Sequence, residues 1–375
     1  MMTDMNDLVY RARVRGCLLG GALGDALGGP VEFWDGTRIA RECGGAVTQF
    51  LPELEGDGPT YGGVTDDTQM TLFTVEGMIR ASVRTDRGLG LTVAVLHHAY
   101  DRWLDTQLQP GPDGTRDGWL ITQQWLYAPR APGNTCISSL VSARGGHRSA
   151  QQFGAHADNQ SKGCGTVMRS APFGLTPPDG LYSLEWQFDA AAQAASFTHG
   201  HPTAQLAAGA LAVLIAAIVA GQDLPDAVAT MTEHLCRHAH HEETSRAIER
   251  AVAAADGAPS EEVLESLGGG WVAEEALAIA IYAALSYPDP DSFTDALSLA
   301  VSHSGDSDST GAICGNILGA LHGEAALPPE LAFEIEGRGT ILELADDFIY
   351  EFTSAGRLHG DHGPDTRWTS RYPGW

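Results

Sequence analysis

The sequence lacks the paired cysteines that are typical of a disulfide framework. Its six cysteines are scattered along 375 residues without a CxxC pair, at positions 17, 43, 136, 164, 236 and 314. In a chain of this length, that usage indicates reduced thiols and a cytosolic compartment. The opening segment MMTDMNDLVYRARVRG places acids before arginines and has no apolar stretch of the signal-peptide type. We therefore expect a cytoplasmic protein.

Positive charge is also scarce. Lys and Arg number 22 against 48 Asp and Glu, which gives a formal charge of −26. Such a surface repels phosphate backbones and anionic lipid heads, so we expect no direct nucleic-acid binding and no membrane association. It would attract divalent cations and basic partners, although a net negative charge is also common in proteins where it serves only solubility.

Alternating strand patterns are nearly absent, and no apolar run is long enough for a membrane span. The most apolar stretch, residues 206–220, falls short of the roughly 20 residues that a span needs, so we interpret it as a buried helix. Elsewhere, apolar residues recur at intervals of three and four, which is typical of helices. Proline and glycine indicate loops at residues 43–63, 107–118, 128–134, 142–165 and after 358.

The sequence shows no shift in composition and no internal repeat that would divide it. We expect one all-α domain over residues 8–358, with terminal extensions at residues 1–7 and 359–375. Because the polar motifs described next are far apart in sequence, this domain must bring both ends of the chain together.

Two apolar helices each begin with a pair of carboxylates beside hydroxyl groups, in TDDT and in GDSDS. A helix start accepts one Asp or Ser as a cap, but burying paired carboxylates is costly unless a cation compensates them. The oxygens suit Mg²⁺, Mn²⁺ or Ca²⁺, and four carboxylates suit two ions about 3.5–4 Å apart. The sequence therefore predicts a divalent-metal site. Its candidate ligands are the acids and hydroxyls of these two motifs, at positions 65–68 and 306–309.

A third group of acids lies in GALGDALGGPVEFWDG. Asp25 follows a helix of small residues and could simply find a local hydrogen bond. Glu32 follows Gly-Gly-Pro and could be a solvated loop residue, but the glycines around it would let a ligand approach closely.

Five motifs occur here in order: GCLLGGALGDALGGPVEF, GGVTDDTQM, SKGCGTVMRSAP, THGHPTA and SGDSDSTGAICGNILGA. Together they resemble the ADP-ribosylglycohydrolase family, which includes the dinitrogenase reductase-activating glycohydrolase and hydrolases of ADP-ribosylarginine and ADP-ribosylserine. The resemblance extends from about residue 12 to about residue 325. It implies a single compact multi-helix domain whose cleft holds two Mg²⁺ ions, with Mn²⁺ possible, and accepts ADP-ribose.

The resemblance also implies roles for individual residues. The family's first metal-ligand group matches Thr65, Asp66 and Asp67, and its second matches Asp306, Asp308 and Ser309. Glu32 matches the glutamate next to the scissile bond. The loop SKGCGTVMR resembles the one that follows the diphosphate and distal ribose, although Arg169 could instead be a structural arginine. His201, beside Pro202, is interpreted as a satisfied histidine. The residues expected to contact ADP-ribose are Ser161, Gly163, Cys164, Gly165, Met168, Arg169 and His199.

Two departures from the family pattern leave the acceptor open. Ala131 and Pro132 stand before GNT where some members carry Asp, and Cys164 stands where others have Asn. We expect a Mg²⁺-dependent hydrolase that releases ADP-ribose from a protein or small molecule, with ADP-ribosylarginine as the first candidate. O-linked ADP-ribose, O-acetyl-ADP-ribose, a modified nucleobase, or ADP-ribose binding without turnover are the alternatives.

Overall fold

A computed structural model describes residues 2–55, 58–86, 88, 93–145, 155–177, 182–353 and 367–374. Within these ranges the chain is almost entirely helical. The helices are α1 (Met2–Gly28), α2 (Gly36–Cys43), α3 (Asp66–Asp86), α4 (Ala94–Leu108), α5 (Asn134–Gly145), α6 (Ala171–Gly174), α7 (Leu184–Ser196), α8 (Pro202–Val219), α9 (Leu224–Leu235), α10 (Glu242–Ala255), α11 (Glu261–Leu267), α12 (Ala273–Ser286), α13 (Phe293–Val301), α14 (Ser307–His322), α15 (Pro329–Glu334), α16 (Arg338–Thr353) and α17 (Arg367–Arg371).

The all-α prediction is confirmed, with one small exception. Strands β1 (Glu53–Glu55) and β2 (Gly58–Thr60) form an antiparallel hairpin in which Glu53 lies opposite Thr60. The expected loops are also shorter than their composition indicated, because α4 continues to Leu108 and α5 continues to Gly145. The central part of the expected loop 142–165, residues 146–154, lies outside the described residues.

The closest packing in the fold joins α1 to α14. Glycines recur every fourth residue on both helices, so that each presents a strip without side chains to the other. A Cβ added to Gly24 would lie 1.9 Å from the carbonyl oxygen of Gly311, and one added to Gly315 would lie 2.0 Å from that of Gly20. We call this contact the glycine seam. Its members are Gly16, Gly20, Gly24 and Gly28 on α1 and Gly311, Gly315 and Gly319 on α14.

The apolar stretch at residues 206–220 forms most of α8, a core helix. The helix begins at Pro202, before the apolar stretch, so it is longer than expected and by length and composition could cross a membrane, but 89% of it is buried inside the fold. It packs between α7, α9 and α6, where alanines let the helices approach closely. The interpretation of this stretch as a buried helix is confirmed.

The described part of the C-terminal tail packs onto the helical body. Tyr372 is fully buried and its hydroxyl donates to the carboxylate of Asp347 on α16. The indole Nε1 of Trp368 donates to Glu351 over 2.8 Å, and Arg84 donates to the carbonyl oxygen of Gly374. None of these residues lines the cleft described below.

Candidate active site

The first acid pair lies in the first turn of α3, where a buried aspartate of α1 fixes the backbone. Asp25 accepts hydrogen bonds from the backbone amides of Thr65 and Thr68, each over 3.0 Å, and from the Thr68 hydroxyl. The backbone amide of Asp67 donates to the hydroxyl of Thr65. Asp25 therefore holds the start of α3, and that turn presents Asp66 and Asp67 to the cleft.

The second acid pair lies at the start of α14 and is fixed by a close backbone approach. Gly305 has φ of +148°, and a Cβ there would lie 2.0 Å from the carbonyl oxygen of Gly269, so only glycine fits. The next amide, that of Asp306, donates to the same carbonyl over 2.8 Å. Asp308 follows within the helix and accepts from the amide of Ser309.

The two helix starts meet in a cleft of about 300 Å³, the low end of the range for small-molecule sites. Both acid pairs line it, together with Glu32 and Ser309. One carboxylate oxygen from each of Glu32, Asp306 and Asp308 lies within 4.8 Å of the other two. No lysine or arginine occurs among the described residues that line the cleft.

This concentration of acids changes their protonation. Burial, reinforced by the charge of Asp308, raises the pKa of Glu32 to about 9 and that of Asp25 to about 7. The same two causes raise the pKa of three further carboxyls well above their usual range: Asp66, Asp67 and Asp306.

The donor set fits divalent cations. Oδ2 of Asp67 is buried and has no hydrogen-bond partner in the part of the chain that the structure describes. Among the described residues that line the cleft, no cationic side chain accompanies the five carboxylates, and their oxygens are the hard ligands that Mg²⁺ and Mn²⁺ take. A cation at this position would offset both the repulsion and the burial of these charges. Thr65 is buried next to these acids but does not itself line the cleft.

The loop SKGCG, residues 161–165, forms backbone hydrogen bonds with the segment at the start of α12. The amide of Cys164 donates to the carbonyl of Trp271 over 3.1 Å, and the amide of Ala273 donates to that of Lys162 over 2.9 Å. This pairing places Cys164 against the second acid pair, where its thiol donates to Oδ2 of Asp306 over 2.5 Å. Gly163, Cys164, Gly165 and Met168 all line the cleft.

Two residues expected to contact ADP-ribose do not line the cleft. Arg169 is 1% exposed, donates to the hydroxyl of Thr198 over 2.7 Å, and lies over the ring of Tyr100 at 4.4 Å. The structure therefore places Arg169 in the core, where its partners include a hydroxyl and an aromatic ring. Ser161 is also outside the lining, and its hydroxyl lies 3.2 Å from that of Thr135.

Of the two histidines in THGHPTA, His199 lines the cleft. Its Nδ1 lies 2.8 Å from the hydroxyl of Thr198. Burial, together with the charge of Arg169, lowers the pKa of His199 to about 3, so its ring stays neutral at physiological pH. His201 accepts a hydrogen bond from the amide of Thr203 as the N-cap of α8, which confirms its structural interpretation.

Sequence reasoning missed two aromatic residues in the lining. Phe33 is 73% exposed and Trp271 is 45% exposed, and their rings stack at 5.6 Å with an interplanar angle of 25°. Phe33 directly follows Glu32, and Trp271 follows three consecutive glycines, a signal that could have marked it. Ala131 and Pro132, which stand where some members of the family have Asp, also line the cleft.

Comparisons with known proteins agree with this architecture. The chain is 29% identical over 343 residues to an uncharacterised protein of Archaeoglobus fulgidus, covering 90% of this chain and 96% of that one. It is 27% identical over 342 residues to the uncharacterised protein YegU of Escherichia coli, covering 86% and 92% respectively. A solved ADP-ribosylglycohydrolase-related protein complex shares the fold, with a TM-score of 0.65 and 23% identity over 92% of this chain and 99% of that one.

The family assignment comes from the sequence itself. Residues 6–357 match the sequence model of the ADP-ribosylglycohydrolases, which are hydrolases that act on ADP-ribosylated substrates. That match covers nearly the whole chain, including both acid pairs and Glu32. The chain therefore belongs to the ADP-ribosylglycohydrolase family.

Proposed function

We propose that this protein is a Mg²⁺-dependent hydrolase that cleaves the glycosidic bond between ADP-ribose and an acceptor, with arginine of a protein as the first candidate. One observation carries the proposal: five carboxylates line a single cleft in which no described side chain is cationic. Family membership supplies the reaction class.

Two groups of residues would hold the metal ions. Asp66 and Asp67 come from the first turn of α3, and Asp306 and Asp308 from the start of α14, where Asp306 directly precedes the helix. The hydroxyls of Thr65 and Ser309 would be further oxygen ligands. Mn²⁺ would fit the same donors. When bound, such ions orient ribose hydroxyls and lower the pKa of a coordinated water.

Glu32 is the residue that would transfer a proton at the scissile bond. Cleavage at ribose passes through an oxocarbenium-like state, which needs acid help at the leaving group and an activated water. Glu32 is 8% exposed and shares its space with Asp306 and Asp308, so its protonation responds directly to the charge in the cleft. Gly163 and Gly165 line the cleft, where diphosphate oxygens would approach their backbone, and neutral His199 can hydrogen-bond the ligand without titrating.

The stacked pair of Phe33 and Trp271 favours a planar acceptor. A guanidinium group is planar and stacks on aromatic faces, which supports arginine. A nucleobase has the same property, so an ADP-ribosylated base is the second candidate. Ala131 and Pro132 line the cleft without supplying an acid that could pair with a guanidinium, so a nucleobase acceptor fits the cleft as well.

The first test is release of ADP-ribose from an ADP-ribosylarginine protein in Mg²⁺, beside the Asp306→Ala and Glu32→Ala variants. Metal-dependent release that both substitutions abolish would support the reaction and the linkage together. A parallel substrate with an ADP-ribosylated nucleobase, and one with an O-linked ADP-ribose, separates the acceptors. If none of these substrates is cleaved while ADP-ribose still binds in the presence of Mg²⁺, the protein binds ADP-ribose without hydrolysing the bond to its acceptor.

A further inference from the structure

A second group of metal-ligating side chains lies outside the cleft, between α7 and α9. Glu185 is in the first turn of α7, His234 is in the last turn of α9, and His238 follows one helical turn later. A carboxylate oxygen of Glu185 and a ring nitrogen of each histidine all lie within 4.8 Å of one another. None of the three lines the cleft.

One ring nitrogen of each histidine in this group makes no hydrogen bond within the described residues. Nε2 of His234 and Nε2 of His238 are both buried, and neither makes a hydrogen bond to any residue that the structure describes. Nε2 of His234 lies 3.3 Å from Oε2 of Glu185 without the geometry of a hydrogen bond. A buried nitrogen without a hydrogen bond destabilises the folded state. Two such nitrogens that face one carboxylate therefore indicate a site for a ligand.

An aromatic residue fixes the two rings. The ring of Phe188 stacks on that of His238 at 3.9 Å with an interplanar angle of 10°, and lies 5.3 Å from that of His234. Stacking explains why the imidazoles are held in place, but it satisfies neither nitrogen. Burial also lowers the pKa of His234, which favours the neutral imidazole that binds metals.

We propose that Glu185, His234 and His238 form a second metal site, for a borderline divalent transition-metal ion such as Zn²⁺. Two imidazoles and one carboxylate are a donor set that Zn²⁺ takes, with water completing the coordination. The cleft, in contrast, offers hard oxygen ligands suited to Mg²⁺. The ion would tie the start of α7 to the end of α9 and stabilise the folded chain.

The test is a Zn²⁺ titration of tag-free, chelator-treated protein against a chromophoric competitor, with Mg²⁺ in excess to occupy the cleft. We expect one Zn²⁺ per chain and a higher melting temperature with Zn²⁺. Glu185→Gln, on an exposed side chain, and His238→Gln should weaken binding by about tenfold or more, since even outer-shell changes cost about that much.

Two control variants lie in the same histidine-rich segment. Cys236→Ser and His240→Gln remove potential ligands of Zn²⁺ that the proposed site does not use, so both should retain wild-type affinity. The proposal is overturned if the untagged protein binds no Zn²⁺, or if the controls weaken binding as much as Glu185→Gln does. Circular dichroism of each variant shows whether it has folded.

Discussion

At the scale of single residues, Glu32 is the side chain on which the proposed reaction depends most. Replacing it with Gln keeps its size but removes its capacity to transfer a proton. We expect Glu32→Gln to lower kcat by about 10²–10⁴-fold while leaving the affinity for ADP-ribose nearly unchanged. Turnover assays and calorimetric titration measure the two quantities separately. Glu42→Gln, on an exposed acid of α2, is the matched control and should have wild-type activity.

The raised pKa values of Asp25 and Glu32 make the stability of the metal-free protein depend on pH. In the unfolded chain both acids titrate near pH 4, whereas in the fold their pKa values are about 7 and about 9. Between about pH 4 and pH 9 the folded state therefore binds more protons than the unfolded chain. The contribution of these two acids to the free energy of unfolding is fully present below about pH 4 and is lost as the pH rises toward 9. Thermal unfolding in a chelator should show a melting temperature that falls over this range.

Excess Mg²⁺ provides the contrast for that measurement. A bound cation stabilises the ionised carboxylates, so the gain in melting temperature from Mg²⁺ should grow as the pH rises. A gain that is constant with pH would contradict a cation site among the carboxylates of the cleft.

At the scale of elements, the glycine seam sets how closely α1 and α14 approach. Gly24→Ala places a methyl group against the carbonyl of Gly311, and the two helices must separate. We expect the free energy of unfolding to fall by about 1–3 kcal/mol or more, as overpacked sites do. Gly339→Ala is the control, because a Cβ at this position in α16 meets nothing within 4 Å. Chemical denaturation compares the two, and equal effects would contradict the role of the seam.

Sequence patterns predict individual helices well, but they do not predict which helices pack against each other. The period of four in Gly16, Gly20 and Gly24 is visible in the sequence, but no local rule says which other helix this strip faces. The hairpin of β1 and β2 was missed because strands of three residues carry no alternation to detect. The ends of α4 and α5 were misplaced since glycine and polar residues are tolerated in a last helical turn.

At the scale of the whole molecule, the candidate site joins residues about 240 apart in sequence, those of α3 and those of α14. The acid pairs could be predicted from their residue types and their positions at helix starts, whereas Glu32 was marked by the glycines before it and by the family resemblance. Arg169 could not be placed, because its partners Thr198 and Tyr100 come from other elements. Phe33 was missed because a lone exposed aromatic residue has no distinguishing pattern in one sequence, whereas the three glycines before Trp271 are a signal that could have marked it.

The placement of Asp308 links the proposed metal site to the stability of the whole fold. Its charge raises the pKa of Asp66, Asp67 and Asp306, so it contributes to the repulsion across the cleft. We expect Asp308→Asn to be more stable than the wild type in a chelator and to lose most of the stabilisation by Mg²⁺. For the wild type that stabilisation is about 2.7 kcal/mol when Mg²⁺ is a hundredfold above its Kd. Melting temperatures with and without Mg²⁺ test this, and an unchanged response to Mg²⁺ in the variant would exclude Asp308 as a ligand.

The glycine seam also has a consequence for synthesis on the ribosome. About 280 residues separate the end of α1 from the start of α14, so α1 emerges long before its partner exists. At about 5–20 residues per second, it waits on the order of tens of seconds with its bare strip uncovered. The last quarter of the chain therefore decides when the enzyme can fold, and a nascent chain that stops before α14 has neither the seam nor a complete cleft.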